Sequence, residues 1–114
     1  MTVDPQVRTR NTTETKITTV EIAPHFVTTI RVPEPVNSVV LGDPALFQVE
    51  HSEHEPQLVF VKALTTEEAE SNLLISTATG RQISFMLVSH SKSPATAKVD
   101  FLVIDSAEKV VAGN

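Results

Sequence analysis

The sequence predicts an all-β domain built from about eight short strands. Three observations carry that expectation. About a third of the 114 residues are Val, Ile or Thr, whose branched Cβ favours the pleated strand over the helix. The apolar runs have strand length and recur at near-regular spacing, with Pro or Gly between them. Only residues 66–71 favour a helix, and they are too few for more than a turn.

Residues 1–13 carry almost no hydrophobic periodicity and are rich in Thr, Arg, Asn and Gln, so they read as a flexible N-terminal arm. From residue 16 the pattern changes. Residues 16–22 place Ile17, Val20 and Ile22 in a run that ends at Pro24. Residues 26–32 follow, closed by Pro33-Glu34-Pro35, where two prolines forbid a continued ladder. Val36–Leu41 is stopped by Gly42-Asp43-Pro44; the pre-proline Asp43 is biased towards extended geometry, and Gly42 supplies a left-handed position if the turn requires one.

Residues 46–51 alternate, with Phe47 and Val49 on one face and Gln48 and Glu50 on the other. The polar residues 52–56 form a hairpin loop. Residues 57–64 are nearly continuously apolar, as expected of a strand covered on both faces. Residues 73–77, 82–89 and 98–104 complete the set, with Thr79-Gly80 as the turn between the first two. Strands of this number and spacing suit a β-sandwich of the immunoglobulin-like kind, or a small open barrel, over residues 14–105. Residues 106–114 read as a tail or the start of a linker. The expected core is Val20, Ile22, Ile30, Val39, Leu41, Phe47, Val49, Phe60, Leu74, Ile83, Phe85 and Leu87.

In the last run alternation fails. Phe101, Leu102, Val103 and Ile104 send apolar side chains both ways, which reads either as an edge strand covered by a partner or as a central strand of the sandwich. The first reading makes these four residues a candidate interaction surface.

Composition narrows the function. A formal net charge of −5 disfavours a nucleic-acid partner, and five Phe with no Tyr or Trp leave few platforms for stacking bases or sugars. The locally basic Arg8, Arg10 and Lys16 read as a solvated segment. The absence of cysteine excludes a disulfide scaffold, a thiolate zinc site and a Cys nucleophile. No apolar run approaches the roughly 20 residues of a membrane span, so direct membrane insertion is not expected. No charged n-region followed by an apolar h-region is visible.

Residues that could carry chemistry are few. His51 and His54, within Glu50-His51-Ser52-Glu53-His54-Glu55, are the candidate metal ligands, but a spacing of three across a hairpin loop converges on one ion only in a shaped loop, and no third ligand is evident. A solvated loop is the favoured reading, and a small metal- or ligand-binding β-domain using the loop from His51 to Glu55 is the alternative. Ser89, His90 and Asp43 supply the residue types of a hydrolytic triad without a nucleophile elbow or glycine-rich oxyanion loop. No enzymatic activity and no cofactor are expected.

From Phe26 to Ser89 a series of short motifs runs in order: Phe26-Val27-Thr28-Thr29-Ile30, Val39-Val40-Leu41-Gly42-Asp43, Val59-Phe60-Val61-Lys62, Asn72-Leu73-Leu74-Ile75-Ser76-Thr77 and Arg81-Gln82-Ile83-Ser84-Phe85. This order resembles the N-terminal domain of the conjugation-type (type IV) secretion core-complex subunit, the TrbG-like and CagX-like proteins. The N-terminal domain of pilus and type II/III secretins is a close second, through its Val-x-x-Gly-Asp-Pro turn. The resemblance covers a little over half the chain. Phe47 stands where the TrbG-like pattern usually has Trp, and the Arg-Arg-Thr-Tyr-like entry to the last strand is replaced by Gly80-Arg81-Gln82-Ile83. What the resemblance implies is a non-enzymatic domain, placed in the periplasm or cell envelope if a leader was removed. Such a domain packs against copies of itself or channel subunits, with Gly42, Asp43 and Asn72 as structural turn residues and Lys62 at a strand end.

Overall fold

A computed structural model describes residues 7–13, 16–90 and 101–108. They form nine strands: β1 (Val7–Thr13), β2 (Ile17–Ile22), β3 (Val27–Arg31), β4 (Val36–Leu41), β5 (Phe47–His51), β6 (Leu58–Ala63), β7 (Ala69–Thr77), β8 (Gln82–Ser89) and β9 (Phe101–Glu108). One sheet has the order β1-β9-β3-β6-β5 and the other β2-β8-β7-β4, and the two pack face to face as a β-sandwich. Both sheets are mixed. β9 runs parallel to β1 and to β3, and β2 runs parallel to β8, whereas the hairpin-connected pairs β5/β6 and β7/β8 are antiparallel. No helix of the described residues is long and apolar enough to cross a membrane.

Period-two alternation builds the core. β8 turns Ile83, Phe85 and Leu87 inward and β7 turns Leu73 and Ile75, with Val20 and Ile22 supplied by β2. From the facing sheet come Ile30 of β3, Phe47, Val59 and Val61, joined by Leu102 and Ile104 of β9. Phe47 and Phe85 are the largest fully buried side chains.

Four expectations need correction. Residues 7–13, read as part of a flexible arm, form β1, held by a main-chain ladder to β9 that needs no apolar pattern. Residues 69–71, read as a helix-friendly turn, open β7, where Ala69 and Ser71 are buried. The faces of β6 and β7 are displaced by one residue: Val59 and Val61 are buried, as are Leu73 and Ile75, while Phe60 and Leu74 lie half-buried on the outer faces. A one-residue slip exchanges every side chain between faces. Finally, β9 is no edge strand: it lies between β1 and β3, so the alternative of a central strand holds. Leu102 and Ile104 belong to the shared core, Val103 is half-buried, and the Phe101 side chain lies outside the described residues, as do residues 98–100 and 109–114.

The β3–β4 connection is fastened to the β7–β8 turn by one carboxylate. Glu34 Oε1 accepts a hydrogen bond from Thr77 Oγ1 at 3.0 Å, Glu34 Oε2 accepts one from Thr79 Oγ1, and Arg81 Nε stands 3.5 Å from Oε1. The Ala78 N–H adds a bond to the Pro35 carbonyl at 2.8 Å, and Gly80, with φ of 90°, closes the turn. Hydrogen bonds to an ionised acceptor are roughly twice as strong as neutral ones.

Two stability predictions follow from this packing. In urea denaturation, Phe85→Ala is expected to lose about 3–5 kcal/mol and Phe60→Ala only about 1–2 kcal/mol; equal losses would mean that β6 turns its other face inward. Glu34→Ala is expected to lose about 1–3 kcal/mol, because both threonine hydroxyls and Arg81 lose a charged partner; a loss below about 0.5 kcal/mol would remove the carboxylate as a fastening point.

Candidate interaction surface

Among the described residues five large apolar side chains remain 44–60% exposed: Ile17, Phe26, Val27, Val40 and Leu64. Three of them meet at one end of the sandwich. The turn Ala23-Pro24-His25-Phe26 closes with a Phe26 N–H to Ala23 carbonyl bond of 3.2 Å, with Pro24 at its second position and His25 at φ 73° at its third, the geometry of a type II turn. That turn delivers Phe26 and Val27 next to Leu64, which leaves β6 for the following loop. Together with Lys62, which pairs with Val27 across the ladder, they line a shallow depression of about 350 Å³.

A second feature lies where the chain changes sheets. β4 ends one sheet and β5 ends the other, and the corner Gly42–Leu46 joins them. Between the two strands runs an open groove of about 600 Å³, lined by Val39 and Leu41 of β4, Phe47, Val49, Glu50 and His51 of β5, and Leu64. No Lys or Arg lines it.

The corner is held by short-range bonds. The Gly42 N–H donates to the Asn72 carbonyl at 3.0 Å, and the Asp43 N–H to Ser71 Oγ at 2.9 Å. Asp43 Oδ1 accepts from the Ala45 N–H at 3.1 Å, and its carbonyl accepts from Leu46 and Phe47. Thus Gly42, Asp43 and Asn72, thirty residues apart at the extremes, occupy one corner. Gly42 is not in the left-handed region, so the conformational reason suggested by the turn motif does not apply. The demand is close approach: a Cβ at Gly42 would stand 2.0 Å from Asn72 Oδ1 and 3.2 Å from Ser71 Oγ.

The remaining candidates are not drawn together. His51 ends β5 and His54 sits in the exposed loop, where Ser52 Oγ accepts from the Glu55 N–H at 3.0 Å; among the described residues no three metal-ligating side chains cluster. Ser89 Oγ is buried, while His90 is exposed on the opposite face with Nε2 at 3.6 Å from Glu21 Oε2, and Asp43 is engaged in the corner. Ser89, buried at the end of β8, and His90, exposed beside Glu21 just beyond it, are not brought to one site. The groove was not anticipated from the sequence; the available signal was that β4 contains no charged residue and no proline, the usual protection of an edge.

Gly42→Ala is expected to destabilise the domain when Asn72 is present and to do so less in an Asn72→Gly background, with a coupling of about 0.5–1 kcal/mol in a double-mutant cycle. Strict additivity would show that the Asn72 side chain yields freely and that the corner tolerates a Cβ.

Compared with known proteins, the chain matches no family model and no curated protein.

Proposed function

We propose that this chain is a non-enzymatic interaction domain that works by packing against neighbouring protein, in a bacterial envelope secretion or conjugation assembly of the type IV kind. The observation that carries the reading is the convergence of Phe26, Val27 and Leu64 at one end of the sandwich, three of the five large apolar side chains left exposed among the described residues. Contiguous exposed apolar surface marks sites of protein association. The resemblance to TrbG-like domains supplies the assembly, and the corner formed by Gly42, Asp43 and Asn72 is consistent with an architectural role for those motif residues. A pilus secretin module, the runner-up, differs in the machine and not in the physics.

Association of an isolated subunit of such an assembly is weak, because each interface counts mainly when many close together. Sedimentation across a wide concentration range tests the reading. Self-association with a dissociation constant of about 0.1–1 mM is expected, weakened at least about fivefold in the Phe26→Ser/Val27→Glu double variant with an unchanged far-UV spectrum. A chain that stays monomeric at about 1 mM, or associates equally well in the variant, overturns self-packing through this end.

A further inference from the structure

The groove between β4 and β5 offers main chain as well as apolar side chains. In an antiparallel ladder, residues of hydrogen-bonded pairs direct N–H and C=O to the partner strand, and the residues between them direct theirs away. The Gly42 N–H to Asn72 carbonyl bond sets that alternation for β4: Val40 pairs with Leu74 by exchange of bonds, and Val39 and Leu41 turn their N–H and C=O away from β7. β4 is the last strand of its sheet, so nothing among the described strands takes up those groups. Yet the side chains of Val39 and Leu41 point into the groove and pack on the core's margin. On β5 the bonds from the Leu64 N–H to the Leu46 carbonyl, 2.8 Å, and from the Ser52 N–H to the Leu58 carbonyl, 3.3 Å, set the same alternation. Val49 and His51 therefore also face outward, but beside the charged Glu50 and the polar Gln48.

We infer that the β4 edge is a docking site for an extended peptide segment of a different protein, which adds as a fifth strand to the β2-β8-β7-β4 sheet. Its alternate apolar side chains enter the groove, and basic residues flank them. The inference rests on the reading that the domain acts by protein packing and names the partner's chemistry. Stacked sheets stand about 10 Å apart, so one strand bonded to β4 sets every second side chain over the gap lined by Leu41, Phe47 and Val49. Charge selects the occupant. Glu50 lines the groove and no Lys or Arg does, Asp43 stands in the corner at one end, and Glu53 and Glu55 lie in the loop at the other. A second copy carries a net charge of −5, and its own basic stretch, Arg8 to Arg10, is in β1 and paired with β9 on another edge.

The test is amide hydrogen exchange on the full ¹⁵N-labelled chain with a synthetic heptapeptide, Lys-Val-Thr-Val-Thr-Val-Lys, and a control peptide ending in Glu at both termini. At saturation the Val39 and Leu41 amides are expected to exchange at least about tenfold more slowly, while Val40, already bonded to β7, changes little. The Glu-ended peptide is expected to bind at least about threefold more weakly, and Glu50→Lys to weaken the Lys-ended peptide by a similar factor. Leu41→Pro removes an N–H that β7 does not use and is expected to abolish binding; the exchange measurement on the unaltered chain stands whether or not that variant folds. Unchanged exchange at Val39 and Leu41 overturns the inference, as does slowing at Val49 and His51 in their place. Slowing that appears without peptide and grows with protein concentration also overturns it, by making a second copy the occupant. Because neither Phe26 nor Val27 lines the groove, loss of peptide binding with intact self-association sinks this inference alone.

Discussion

Period-two alternation is the constraint from which the rest of the architecture derives. The nine strands of the described residues, with no helix among them, must hide their apolar area by turning one face of each sheet towards the other, and the shared space is filled mainly by aliphatic side chains around Phe47 and Phe85. Because every inward position is spaced by two, a buried polar residue at such a position must go inside with its neighbours. Thr18 and Ser89 show this: both face inward on β2 and β8, and among the described residues their hydroxyls have no hydrogen-bond partner. The registers that keep Val20, Ile22, Phe85 and Leu87 inside therefore carry these two hydroxyls inward as well.

The same rule explains what could be read from the sequence. Strands β2 to β6, β8 and the turns between them were legible because Pro and Gly punctuate runs of β-branched residues. The β6 and β7 faces were misread because both faces are apolar: Leu58-Val59-Phe60-Val61 and Leu73-Leu74-Ile75 satisfy either register. The deciding signal lay one turn of the pleat away. Lys62 is exposed, which puts Phe60 and Leu58 on the outer face, and exposed Glu70 and Asn72 do the same for Leu74. Charged residues fix a register more firmly than apolar ones, since burying them is the far larger penalty.

What no local pattern discloses is which strands meet. β1, with Val7 its one aliphatic residue, is held in the sheet by hydrogen bonds to β9, and that pairing converts β9 from an apparent edge into an interior strand. The Glu34 fastening joins residues 43 and 45 positions apart, and the groove arises only because consecutive strands β4 and β5 end different sheets. The motif Gly42-Asp43-Pro44 announced a turn at that place but not its function as a sheet-to-sheet corner, and the reason for glycine there is a neighbour 30 residues on.

That corner also governs what the open side of the sandwich can accept. Only the residues of Gly42–Leu46 bridge the β4 and β5 ends directly, and their amides are bonded to Asn72, Ser71 and Asp43 itself. A corner fixed in this way holds the two edges at the separation of the stacked sheets, about 10 Å. Collapse of β4 onto β5 would bury Val39, Leu41 and Val49 completely, at the expense of the bonds that Asp43 makes with four following or facing groups. Main-chain and side-chain bonds in the corner thus preserve an apolar cleft that hydrophobic burial alone would close. The cleft that this leaves open lies against the edge strand of its sheet whose residues, Val36–Leu41, carry no charge to repel an incoming strand.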